Sequence, residues 1–147
     1  MWPFKSADQR FRQVVEEKYG DYLRSNAFQA EPEGSGRPSH IWGLAFQSSA
    51  FRLRINAERG GGLLVSGAPL SPTAAWYEED WYLLYNVLRW LCPDVPLHSK
   101  WAVGPDAASL ATTHEALTRF FSQADAGLRE RFIESVQAPF LGRDNAP

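Results

Sequence analysis

The sequence predicts an α+β domain: a short antiparallel meander of three to four strands, packed on one face by an N-terminal helix and a C-terminal helical layer. Three observations carry this reading. Apolar residues recur at helical spacing from Phe11 to Leu23, switch to a period of two between His40 and Ile55, and return to helical spacing from Trp76 onward. No repeat and no sharp change in composition divides the 147 residues, so a single domain over 1–147 is expected. A chain of this length buries roughly 70% of its unfolded surface and needs neither disulfide nor metal to hold it.

The first helix is predicted to begin at Ser6-Ala7-Asp8-Gln9, whose spacing is that of a capping box. Its stripe is Phe11, Val14, Val15, Lys18, Tyr19, Tyr22 and Leu23, and it ends either at Gly20 or about one turn later, near Ser25. Glu31 to Ser39 holds two prolines and two glycines and reads as a loop. In the strand that follows, His40, Trp42, Leu44 and Phe46 alternate with Ile41, Gly43, Ala45 and Gln47, apolar on both sides as an inner strand would be. The next strand sets Phe51, Leu53 and Ile55 against Arg52, Arg54 and Asn56, a pattern that predicts one core face and one solvated face. Gly62 to Ser66 completes the meander, and residues around Ala27 to Ala30 offer a further edge strand.

The run from Trp76 to Cys92 reads as a helix ended by Pro93. Apolar residues fill about two-thirds of its circumference, so it should be covered twice, once by the sheet and once by the C-terminal third. Asp106 can cap a helix with the stripe Leu110, His114, Leu117 and Phe121, and Ser122-Gln123-Ala124-Asp125 can start another carrying Leu128, Phe132 and Val136. The tail from Pro139 to Pro147 is expected to fray.

Charge and composition exclude several functions. Lys and Arg total 15 against 17 Asp and Glu, a net charge of −2 with a pI near 5.9, which argues against a nucleic-acid partner on whole-molecule electrostatics. One cysteine, Cys92, excludes an internal disulfide and any CxxC site, and it sits at the electronegative end of its helix, where a thiol's pKa rises. No segment approaches about 18 uninterrupted apolar residues, and Met1-Trp2-Pro3-Phe4-Lys5 has no signal-peptide character, so no membrane partner and a cytoplasmic location are expected.

Candidate chemistry is sparse. His40, His98 and His114 have no partner at metal-ligand spacing, and no metal or cofactor is expected. Val65-Ser66-Gly67 lacks the first glycine of a nucleophile elbow, and Gly60-Gly61-Gly62 lacks the Lys-Ser or Lys-Thr of a phosphate loop and leads into a strand. Arg52, Arg54 and Arg59 near Trp42 read as a solvated face instead of a single-strand binding surface. Glu78-Glu79-Asp80 is the densest acidic cluster, and acids in a first helical turn complement its dipole; Asp80, however, falls on the apolar arc and needs to be a cap or to have a buried partner. Trp76, Tyr77, Trp81, Tyr82, Tyr85 and Trp90 cannot all face one core, so some should lie at the surface, as the anchors of protein interfaces do.

Lys18-Tyr19-Gly20, Phe51-Arg52-Leu53-Arg54-Ile55 and Trp76-Tyr77 with Val87-Leu88-Arg89-Trp90-Leu91, in the order helix, meander, Leu-rich helix, resemble small bacterial α+β proteins that include immunity proteins of toxin systems. The reading is therefore a non-enzymatic domain that binds another protein, or a second copy of itself, by occlusion. Its partner-binding residues would be Trp76, Tyr77, Glu78, Glu79, Tyr82 and Arg89, with the acids steering a basic partner. The alternative is a small enzyme or ligand-binding domain using His114 and the Glu78-Asp80 cluster in a cleft between sheet and helices.

Overall fold

The computed structural model describes residues 7–31, 43–57, 62–70, 81–96, 104–122 and 126–136. Helix α1 (Ala7–Ser25) is followed by strands β1 (Gln29–Ala30), β2 (Gly43–Gln47), β3 (Arg52–Ala57), β4 (Leu63–Ala68) and β5 (Tyr82–Leu83), then by helices α2 (Leu84–Leu91), α3 (Ala107–Phe120) and α4 (Ala126–Val136). The strands form one antiparallel sheet in the order β1-β2-β3-β4-β5. This is the α+β arrangement the periodicity predicts, with one strand more than expected.

Helix α1 runs through Gly20 and ends as a Schellman motif. The Phe28 amide donates to the Leu23 carbonyl at 2.9 Å and the Ala27 amide to that of Arg24 at 3.2 Å, while the Asn26 side chain donates to the Tyr22 carbonyl. Ala27 takes the left-handed position that glycine usually fills, with φ 58°. The motif's hydrophobic pair is Leu23 and Phe28, both buried. Of the expected stripe, Phe11, Val15, Tyr19, Tyr22 and Leu23 are buried, whereas Val14 and Lys18 are exposed. Two tyrosines one turn apart tie α1 to the α3 segment: the Tyr19 hydroxyl donates to the Pro105 carbonyl at 2.9 Å, and the Tyr22 hydroxyl lies 2.8 Å from His114 Nδ1.

Cross-strand register puts Leu44, Ile55 and Val65 in one row of the inner face, and Phe46, Leu53, Gly67 and Tyr82 in the next. That face meets the helices. A Cβ on Gly67 would sit 2.7 Å from the Phe121 ring and 3.0 Å from Leu84 Cδ2, so only glycine lets these residues close onto β4. Phe51 is the hub, its ring centroid 5.3 Å from Phe28, 5.2 Å from Phe121 and 5.8 Å from His114.

The expected helix from Trp76 to Cys92 needs correction at its start. Residues 76–80 lie outside the described residues, Tyr82–Leu83 is a strand paired with Ser66–Gly67, and helical geometry begins only at Leu84. Consecutive residues here face opposite ways: Trp81 reaches the outer face of the sheet and Tyr82 the inner, where its ring meets Phe120, Phe121 and Phe132. That alternation belongs to a strand, and the high apolar content of the run hides it. The far end agrees with expectation, since α2 stops at Leu91 and the Cys92 amide closes it on Leu88. Double cover is also present: Leu84, Val87 and Leu88 are fully buried, and Trp90 on the other arc packs its ring 5.6 Å from Phe132 of α4.

Asp106 caps α3, its Oδ1 accepting from the Ser109 amide at 2.8 Å. Arg129 of α4 satisfies the other end of α3, donating to the Phe120 and Ser122 carbonyls at 2.7 and 2.9 Å. Helix α4 is described from Ala126; of its expected start at Ser122-Gln123-Ala124-Asp125, Gln123 to Asp125 lie outside the described residues, as do Ser6, most of the Glu31–Ser39 loop and the tail from Pro139.

Two substitutions test this packing. Ala27→Gly is expected to raise the unfolding free energy by about 1 kcal/mol by relieving the left-handed strain, read from denaturant midpoints at unchanged slope. Gly67→Ala is expected to lower it by about 1–3 kcal/mol, because the new methyl meets the Phe121 ring.

Candidate functional site

Arg52, Arg54 and Asn56 share the outer face of β3 with Ala45, Gln47, Ser66 and Ala68 of its neighbours. The expected solvated face is only partly there: Gln47 is exposed and Arg54 and Asn56 are half-buried, but the rest is covered. Arg52 is 3% exposed, and Ser66 and Ala68 beside it are buried. The Arg52 guanidinium forms a forked pair with Glu31, Nε to Oε2 and Nη2 to Oε1 both at 2.7 Å, with the carboxylate side chain only 14% exposed. Trp81 lies over both arginines, its ring centroid 5.2 Å from Cζ of Arg52 and 4.5 Å from that of Arg54. Burial, with the neighbouring Arg52 charge second, pushes the Arg54 guanidinium down to about 10. Arg52, Arg54 and Trp81 thus build a charged and aromatic layer on the face opposite the helices. Arg59 and Trp42 lie outside the described residues.

The layer has a sequence signal that polarity masks. Period two marks Arg52 and Arg54 as one face, but Glu31 is 21 residues upstream of Arg52 and carries no local mark of its pairing. The parity of Trp81 and Tyr82 is the other clue, visible only if the segment is read as a strand.

Trp76, Tyr77, Glu78 and Glu79, like Asp80, lie outside the described residues. Tyr82 is half-buried and takes part in the aromatic core. Arg89 is exposed on α2, its Cζ 5.7 Å from the Tyr85 ring centroid, with Asn86 exposed beside it. Tyr82 and Arg89 are therefore not brought together on one surface patch: one faces the helices, the other faces solvent.

His114 sits at the junction of α1, α3 and the start of β3. Its ring is edge-on to Tyr22 at 5.6 Å and to Phe28 at 6.4 Å. Burial lowers its pKa and raises that of Tyr22, so both groups are held neutral, with the phenol hydroxyl hydrogen-bonded to Nδ1. This is the packing role that a histidine on an apolar stripe often plays. His40 and His98 lie outside the described residues, as do Gly60 and Gly61. Ser66 is a buried strand residue paired with Leu83, and Cys92 is half-buried with its thiol pushed up by burial. Among the described residues no group of three or more His, Cys, Asp and Glu can hold a metal ion, and no helix is long and apolar enough to cross a membrane.

The lowered pKa of His114 fixes the sign of one pH effect. The unfolded chain takes up this proton near the ordinary histidine pKa of about 6.5, above the pH at which the folded chain does. Stability from the neutral imidazole is therefore full above that pH and lost as pH falls through it toward the folded pKa. Denaturant midpoints from pH 7.5 to 5.5 are expected to fall less steeply in His114→Gln than in the parent; equal slopes would contradict the assignment. For the outer layer, Trp81→Leu is expected to cost about 1–2 kcal/mol through lost stacking on the two guanidiniums, measured by the same unfolding.

Compared with known proteins, the chain matches no family model, no curated protein and no solved structure.

Proposed function

We propose that this chain is a non-enzymatic protein-binding domain, an immunity-type inhibitor that acts by occluding a partner protein. The observation that carries the reading is the seating of Trp81, the residue bonded to the aromatic and acidic run Trp76-Tyr77-Glu78-Glu79-Asp80, on the sheet face away from all four helices. A sheet covered on that side by a stacked tryptophan gives the adjoining run a rigid attachment. Rigid attachment lowers the ordering cost that an anchor residue incurs on binding.

In this reading Trp76 and Tyr77 are the anchors, because Tyr82 is already committed to the rings of Phe120, Phe121 and Phe132. Glu78 and Glu79 steer a basic partner, which makes the association rate fall with salt. The exposed Arg89 belongs to the polar rim. The enzyme alternative draws no support from His114, whose Nδ1 is occupied by the Tyr22 hydroxyl and whose ring is lined by Tyr22, Phe28 and Phe51.

Native mass measurement and pull-down from the source lysate test the proposal, comparing the parent with a Trp76→Ala, Tyr77→Ala, Glu78→Ala, Glu79→Ala variant whose unfolding midpoint is checked first. The expected result is a stoichiometric protein complex of the parent that weakens roughly 30-fold or more in the variant, the loss of at least one hot spot of about 2 kcal/mol. A homodimer lost in the same variant would make the partner a second copy. A partner-free monomer for both proteins would overturn the reading.

A further inference from the structure

We draw no further inference here: the strongest candidate, the open groove of about 420 Å³ along the β1 edge between Ala27, Ala30 and the Ser48–Ser49 turn, has its one carboxylate, Glu31, already held by Arg52, and nothing in the structure shows what covers it.

Discussion

Arg52 stands in the central strand and ties both edges of the sheet to it. On one side its guanidinium takes the carboxylate of Glu31, the residue that follows β1; on the other it lies under Trp81, the residue that precedes β5. Both edge strands have only two residues, too few for ladder hydrogen bonds alone to hold them. A cation in so dry a place is tolerated only because its partner is placed with two short hydrogen bonds, since desolvating a charge costs several kcal/mol unless it is paired. The two edges and the middle of the sheet are thus linked by one side chain acting across the outer face.

The inner face is organised by different forces. Phe51, Leu53, Ile55 and Val65 are fully buried, and the aromatic rings of Phe28, Phe120, Phe121 and Phe132 pack edge to face, tilted or stacked around Phe51 and Tyr82. Strand β3 therefore has two faces of opposite character, one apolar and buried, one charged and partly covered. The two faces are joined through the opposite parity of Trp81 and Tyr82. Tyr82 fixes the chain to the aromatic core and Trp81 to the arginines, so these two consecutive residues are held on opposite sides of the sheet.

Much of this was legible from local pattern. The meander, its register-setting alternation, the Asp106 cap and the stop of α2 before Pro93 all follow from short-range signals, and the structure has them. What was not legible depends on contacts distant in sequence. β5 exists because Tyr82 and Leu83 meet Gly67 and Ser66, and nothing within the Trp76–Cys92 run separates that strand from the helix after it. The charge of Arg52 and Arg54 predicts a solvated face, yet charge records only what a side chain needs, and Glu31 and Trp81 supply it. The end of α1 at Ser25 is the later of the two expected endings; sequence pattern leaves Gly20 open beside it because the left-handed cap falls on Ala27, where sequence rules look for glycine. For the candidate site, residue types pointed to Trp76 through Glu79 and to Arg89, but only geometry separates the exposed Arg89 from Tyr82 in the core.

The most direct test of this account is a double-mutant cycle on the unfolding free energy with Glu31→Ala, Arg52→Leu and the two combined. The account predicts a cost of roughly 3 kcal/mol or more for Glu31→Ala, which strands a buried cation, and a double variant more stable than the sum of the single losses by well over 1 kcal/mol. Single costs below about 0.5 kcal/mol that simply add would contradict it, and would mean that the edges of the sheet are held by something other than Arg52.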